Sequence, residues 1–178
     1  MDPVEACFRA SVAVALDETN AQAACILGLL HCRQDLPESS FYLASYYLNA
    51  AANENKGRAA ICQYSQSLLR LTKHIHEDQY LVQGFNVIPA MIFWLRKSSD
   101  LGDDGGREML KKWEKAVQKR CGCCSKTAKI GEKFKQCSKC RAQWYCSKEC
   151  QIEAWRDGYK KDCRRARILK FEDYLNAE

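Results

Sequence analysis

The cysteines of this chain are unevenly placed, and their spacing constrains its fold more than any other feature. Four of the twelve are scattered up to Cys62, whereas the other eight lie between Cys121 and Cys163. The eight include three close pairs, Cys121-x2-Cys124, Cys137-x2-Cys140 and Cys146-x3-Cys150. Such spacing lets both thiolates of a pair reach one ion, and tetrahedral structural zinc needs four ligands. The pairs therefore predict zinc, and the metal would fold a segment too short to bury a sufficient core of its own.

The remaining composition indicates an intracellular protein, in the nucleus or the cytoplasm. No basic segment followed by an apolar run and a cleavage site is found at the N-terminus, so a secretory signal is not supported. The longest apolar stretch, Phe85 to Leu95, is interrupted by Asn86 and Pro89. It falls short of the roughly 20 residues that span a bilayer, so we expect no membrane segment. In such a chain, twelve cysteines favour metal binding over disulfides.

Charge divides the chain at the point where the cysteines begin to cluster. Residues 118–178 hold 16 Lys and Arg against 8 Asp and Glu, a formal +8, and residues 1–117 hold 12 against 14, a formal −2. Two modules with opposite electrostatics are therefore expected. The predicted division is a helical region at 1–99, a linker and connecting helix at 100–120, a zinc finger at 121–163 and a basic C-terminal helix at 164–178.

The first module shows helical periodicity. Apolar residues recur at steps of three and four in three sets: Phe41, Ala44, Leu48 and Ala51; Ile61, Tyr64, Leu68, Leu71 and Ile75; and Leu81, Phe85, Ile88, Ile92 and Leu95. Thr19 and Gln22 have the spacing of a capping box, and the glycine-containing run at 100–106 indicates a break before a helix from about Arg107. We predict an all-α region of antiparallel helices. The spacing also admits a helical repeat, although no signature residues recur.

The second module resembles a known family. "KFKQCSKCRAQWYCSKECQIEAW", with Cys121-x2-Cys124 before it and Cys163 after it, is similar to the MYND zinc finger. The resemblance implies that ligand pairs interleave and that the finger docks short proline-rich peptides of partner proteins. Two ligand sets are implied: Cys121, Cys124, Cys146 and Cys150 for one zinc, and Cys137, Cys140, Tyr159 and Cys163 around the other. The implied peptide-contacting residues are Ser138, Gln151 and Trp155.

Tyr159 departs from the family pattern, which ends in His-x3-Cys. A tyrosine with a pKa near ~10 is a poor zinc ligand at neutral pH. The second site would then hold three thiolates and either water, a phenolate or a borrowed ligand, and we expect its zinc to be weaker. Cys123 is a spare thiol beside the first pair, where the interleaved arrangement keeps it from the second site.

These features favour an adaptor over an enzyme. Zinc with four thiolates has no open position for substrate, and no catalytic residues are identified in either module. Trp155 would supply a flat apolar platform for a polyproline II ligand, and Gln151 an amide for its backbone carbonyls. Trp155 could equally be a buried residue that fills the finger's small core.

Two alternatives remain at this stage. A nucleic-acid-associated regulatory protein is suggested by six basic residues, Lys160, Lys161, Arg164, Arg165, Arg167 and Lys170. Against this, seven thiolates and two zinc ions add a net −3, so many of these cations would offset the charge of the metal sites. The chain could also be a non-catalytic fragment of a larger MYND-containing protein. MYND fingers accompany SET-type methyltransferases, but residues 1–117 lack glycine-rich cofactor loops.

Overall fold

A computed structural model describes residues 2–33, 40–53, 57–78 and 86–176, without the side chains of residues 71–78. The described elements are α1 (Pro3–Leu16), α2 (Ala21–His31), α3 (Phe41–Asn53), α4 (Arg58–Asp78), α5 (Ile88–Asp100), α6 (Asp104–Val117), β1 (Lys135–Gln136), β2 (Trp144–Tyr145), α7 (Lys148–Ala154), α8 (Lys160–Arg165) and α9 (Phe171–Asn176). The predicted fold class, a helical region followed by a small cysteine-rich finger, is confirmed. None of the described helices is long and apolar enough to cross a membrane.

The helices from α1 to α6 pack mainly against their neighbours in sequence. The predicted periodicity places Leu48 of α3 and Tyr64 of α4 in one buried cluster with Trp94 of α5. The Trp94 and Tyr64 rings meet edge to face, with centroids 5.0 Å apart. The described helical region is therefore held together by apolar burial. Part of the predicted periodicity lies outside the description, namely the side chains of Leu71 and Ile75 and the residues Leu81 and Phe85.

Two helix starts differ from the prediction because other side chains cap them. Asn20, rather than Thr19, caps α2 by accepting a hydrogen bond from the Ala23 amide at 3.0 Å. The Asp103 carboxylate accepts a hydrogen bond from the Gly106 amide at 2.6 Å, so α6 begins at Asp104 and not near Arg107. An aspartate cap contributes about 1 kcal/mol, which offsets the low helix propensity of a glycine in the first turn. The expected linker is thereby reduced to a short turn between α5 and α6.

The chain after Cys163 is not the single basic helix that the sequence suggests. Helix α8 ends at Arg165, and α9 returns to the helical region, where Phe171 is fully buried in the cluster of Tyr64 and Trp94. Asn49 of α3 accepts a hydrogen bond from the Phe171 amide at 2.9 Å and donates one to the Leu169 carbonyl at 2.7 Å. An apolar residue and a buried amide therefore determine the path of this segment.

The finger also packs directly on α5 and α6. Arg96 of α5 donates hydrogen bonds to the carbonyls of Cys140, at 3.3 Å, and Arg141, at 2.6 Å. The same guanidinium forms an ion pair with Glu114 of α6 at 2.6 Å. Beside it, Ala142 is completely buried in a cluster that contains apolar residues of α5. The second Cys-x2-Cys turn is thus bound to the helices.

Candidate metal centre

One group of cysteines, which we call the first cluster, consists of Cys121, Cys124, Cys146 and Cys150. All four sulfur atoms lie within 4.8 Å of one another. The Cys124 and Cys146 sulfurs are 3.7 Å apart, and those of Cys146 and Cys150 are 3.5 Å apart. Cys150 lies in the first turn of α7, which Ser147 caps by accepting a hydrogen bond from the Cys150 amide. The fold thus brings together two pairs that are distant in sequence.

A second group, the second cluster, consists of Cys137, Cys140 and Cys163. These three sulfurs also lie within 4.8 Å of one another, with 4.0 Å between those of Cys137 and Cys163. Cys163 reaches the cluster from α8, whereas the other two belong to one turn. The two Cys-x2-Cys turns are built alike, since Ser125 and Arg141, which follow them, both adopt positive φ, 59° and 54°. This backbone conformation is uncommon for residues other than glycine, and the sequence analysis did not identify it.

The sulfur spacing fits zinc. With Zn–S bonds of 2.3 Å, the sulfurs of a tetrahedral site are about 3.8 Å apart. The three sulfur–sulfur distances given above, 3.5, 3.7 and 4.0 Å, lie around this value. Two cysteine groups can therefore each hold a zinc ion. The roles of the seven cysteines as ligands remain predictions.

Each cluster contains one cysteine whose pKa is lowered, so that its thiol ionises more readily. Burial opposes ionisation of Cys121, but the backbone amides of Cys146, Cys123 and Cys124 lower its pKa to about 6. Burial likewise opposes ionisation of Cys137, and the amides of Cys140 and Lys139 nevertheless lower its pKa. A thiolate held by amides is the form that binds a metal ion.

Tyr159 lies at the second cluster, at the place that the resemblance assigns to histidine. Its hydroxyl oxygen is 2.7 Å from the Cys140 sulfur. Burial, followed by the charge of Cys140, raises the pKa of Tyr159 far above its usual value, so the side chain is a neutral phenol. The wide turn Trp155–Tyr159 places Tyr159 at the cluster. In this turn Gly158 adopts a φ of +112°, which is not helical and produces the kink between α7 and α8.

A second tyrosine, Tyr145, borders the same cluster and was not identified from the sequence. It is fully buried, and its ring meets that of Tyr159 edge to face with centroids 5.9 Å apart. Its hydroxyl has no hydrogen-bond partner of acceptable geometry among the described residues. Burial and the neighbouring Cys137 thiol raise the pKa of Tyr145. Only its position directly before Cys146 could have drawn attention to it.

The spare thiol, Cys123, lies on the side of the first cluster. Its sulfur is 3.4 Å from a carboxylate oxygen of Glu153, and both side chains group with Cys150. Burial and the hydrogen bond to Glu153 raise the pKa of Cys123 to about 12. Cys123 does not join the second cluster, in line with the interleaved arrangement.

The candidate peptide-contacting residues lie on one part of the finger. Trp155 is half-buried and packs against Tyr159, with ring centroids 6.4 Å apart. Gln151, also half-buried, precedes Trp155 by four residues. Ser138 is exposed and adjoins Lys139, whose ammonium lies 5.0 Å from the centroid of the Trp155 ring. Trp155 therefore contributes to the small core and also presents a face next to the second Cys-x2-Cys turn.

Comparisons with known proteins identify this part of the chain. Residues 114–163 match the family model of the MYND finger. This segment is a MYND-type zinc finger, a zinc-binding and non-catalytic module that mediates protein interactions. The resemblance inferred from the sequence is confirmed.

Two curated relatives are ubiquitin carboxyl-terminal hydrolases of Arabidopsis thaliana. Ubiquitin carboxyl-terminal hydrolase 17 is 29% identical over 99 residues, which are 56% of this chain and 10% of that protein. Ubiquitin carboxyl-terminal hydrolase 16 is 50% identical over 34 residues, which are 19% of this chain and 3% of that protein. The chain thus matches a small fraction of each relative's length. No solved structure matches the chain.

Proposed function

We propose that this protein is an adaptor whose MYND finger docks short proline-rich segments of partner proteins. The partly exposed ring of Trp155 carries the proposal, together with the resemblance that assigns peptide contacts to this position. A polyproline II segment presents flat pyrrolidine rings that pack on aromatic surfaces. One side of Trp155 is supported by Tyr159, so its ring is held in place before a peptide arrives.

The neighbours of Trp155 suit the rest of such a ligand. A polyproline II chain makes no internal hydrogen bonds, so its carbonyls need donors from the protein. Gln151 and Trp155 are four residues apart, and this spacing places both side chains on one side of a helix. Ser138 offers a hydroxyl from the adjoining turn. Lys139 lies over the Trp155 ring, and a bound peptide would displace its ammonium or receive a hydrogen bond from it.

Nucleic-acid binding receives less support from the positions of the basic residues. Arg165 is 11% exposed and faces the Asp162 carboxylate at 4.0 Å. Arg167 donates a hydrogen bond to the Lys139 carbonyl at 2.6 Å. Two of the six cations proposed for phosphate contacts therefore have partners within the protein. The adaptor proposal assigns no catalysis to the chain, whether it acts alone or as part of a larger MYND-containing protein.

The proposed location is inside the cell, in the nucleus or the cytoplasm, where thiols stay reduced and available to zinc. Partners would then be intracellular proteins with exposed proline-rich segments.

Binding of fluorescent proline-rich peptides to the zinc-loaded full chain tests the proposal. We expect Trp155→Ala to weaken binding about tenfold or more, since aromatic residues dominate such contacts. Ile130→Ala is the matched control, because Ile130 is a fully exposed apolar residue of the same finger. Zinc counting by native mass spectrometry verifies that both variants keep their metal.

A salt series on the same proteins separates the two ligand classes. Peptide binding through Trp155 should change little with salt, whereas binding to a DNA duplex should fall steeply. Peptide affinity equal in wild type and Trp155→Ala would contradict the adaptor proposal. DNA binding that is strong and salt-dependent, with no peptide binding, would favour the alternative.

A further inference from the structure

The second cluster supplies only three thiols to a metal that takes four ligands in a closed structural site. The hydroxyl of Tyr159 lies beside this set, 2.7 Å from the Cys140 sulfur. The family position of the missing histidine makes this phenol the obvious substitute. Its distance from Cys140 decides whether it can serve as one.

That distance is too short for two atoms that share one zinc ion. A zinc ion with a Zn–S bond of 2.3 Å and a Zn–O bond of about 2.0 Å holds the two donor atoms about 3.5 Å apart in tetrahedral geometry. The Tyr159 oxygen is considerably closer to the Cys140 sulfur than this. Tyr159 is therefore in hydrogen-bonding contact with Cys140, in which either group could be the donor, and lies outside the ligand shell.

Tyr145 provides an independent observation at the same place. Its side chain is fully buried, and its hydroxyl lies near that of Tyr159 but has no hydrogen bond of acceptable geometry among the described residues. The neighbours of this hydroxyl are Tyr159 and the thiols of the second cluster. A buried hydroxyl without a partner is unfavourable unless a small polar group lies beside it. Both phenols thus border the cluster, and the hydroxyl of Tyr145 is left without a well-formed hydrogen bond.

We infer that the second zinc takes its fourth ligand from solution, as one water molecule that the hydroxyl groups of Tyr145 and Tyr159 hold in place. Three thiolates and one Zn²⁺ already carry a net charge of −1, so a neutral ligand is favoured over hydroxide. Water also matches the two phenols, because a metal-bound water molecule keeps two O–H groups that it can donate to the two phenol oxygens. This site would then be exchangeable, unlike the first cluster, whose four thiols leave no position open.

Cadmium-113 NMR of the full chain loaded with two cadmium ions tests the inference, because each site gives its own resonance. We expect one resonance in the range of cadmium with four thiolate ligands. The other resonance should have the chemical shift of cadmium with three sulfur ligands and one oxygen ligand. Tyr159→Phe should keep the second resonance in its three-sulfur range, since water remains the ligand. Two tetrathiolate resonances would overturn the inference, as would failure of the wild-type second cluster to bind metal.

Ultraviolet spectra distinguish water from the phenolate. Metal loading of the wild type should produce no tyrosinate band. A tyrosinate band that appears on loading and disappears in Tyr159→Phe would show that Tyr159 itself is the ligand, and would overturn the inference.

Affinity measurements test the two hydroxyls. Tyr145→Phe and Tyr159→Phe should each lower the affinity of the second metal about 10-fold or more, as for other outer-shell partners. The affinity of the first cluster serves as an internal control for folding, and Tyr42→Phe, at an exposed tyrosine of α3, as a matched variant. Unchanged second-site affinity in both cluster variants would remove the role of the hydroxyls.

Discussion

The first cluster has four thiols and lies partly at the surface, whereas the second has three thiols, is more buried and is bordered by two tyrosines. The turns that begin them are alike, with positive φ at Ser125 and Arg141. Their surroundings differ, because Arg96 of α5 binds the carbonyls of Cys140 and Arg141. A zinc ion in the first cluster would thus depend on ligands that the finger supplies completely, and one in the second cluster would depend more on packing. Retention of the two metals should respond differently to substitutions outside the ligand sets.

Removal of a first-cluster thiol should have the largest effect. Cys146→Ser opens the complete tetrathiolate set, and structural zinc contributes about 10–16 kcal/mol in finger peptides. We expect the finger to unfold while the helices of residues 1–117 persist, because apolar burial holds them. Native mass spectrometry and circular dichroism would measure zinc content and helicity, with Cys7→Ser of α1 as control. An unchanged zinc count would refute the assignment of Cys146.

Loss of Arg96 should affect the second metal selectively. Arg96→Ala removes hydrogen bonds to Cys140 and Arg141 and the ion pair with Glu114. Losing such charged hydrogen bonds costs about 1–3 kcal/mol. A chelator should then release the second zinc at a lower concentration, with little change for the first. Lys111→Ala, at an exposed cation of α6, is the control, and equal shifts for both metals would contradict this coupling.

A substitution at Gly158 should weaken binding of the second metal somewhat less than the loss of Arg96 does. Gly158→Ala places a side chain at φ +112°, and left-handed backbone costs other residues about 1–2 kcal/mol. Since this turn positions Tyr159 and Cys163, the second metal should bind more weakly. Gly131→Ala introduces similar strain at φ +85° away from the clusters. If it weakens the second metal equally, the effect is general destabilisation.

The smallest effect is expected from Tyr159→His, which should raise the affinity of the second metal, whereas the other substitutions lower metal affinity. An imidazole nitrogen would replace the outside ligand and complete the second set. A tenfold tighter site stabilises the folded protein by about 1.4 kcal/mol at saturating zinc. The melting temperature should rise in a scan with zinc present, and chelator titration should show later release of the second metal. Release at the same chelator concentration as in wild type would mean that another group of the protein already supplies the fourth ligand of the second site.

Local patterns in the sequence predicted much of this molecule. Leu48 and Tyr64 were placed in the core by helical periodicity, because the period of a helix is a local property. The cysteine pairs were found by spacing for the same reason. The start of α6 differs from the prediction because the Asp103 carboxylate caps the helix, and this cap offsets the low helix propensity of the two glycines that follow it.

The sequence by itself determined that the chain has an all-α region and a zinc finger, since periodicity and ligand spacing act over a few residues. Only the tertiary structure placed Tyr145 beside Tyr159, Arg96 against the turn of Cys140, and Phe171 inside the helical core. These contacts join residues far apart in the chain, and they depend on shape and burial rather than on spacing. No local pattern encodes them, so the surroundings of the second cluster could be read only from the folded protein.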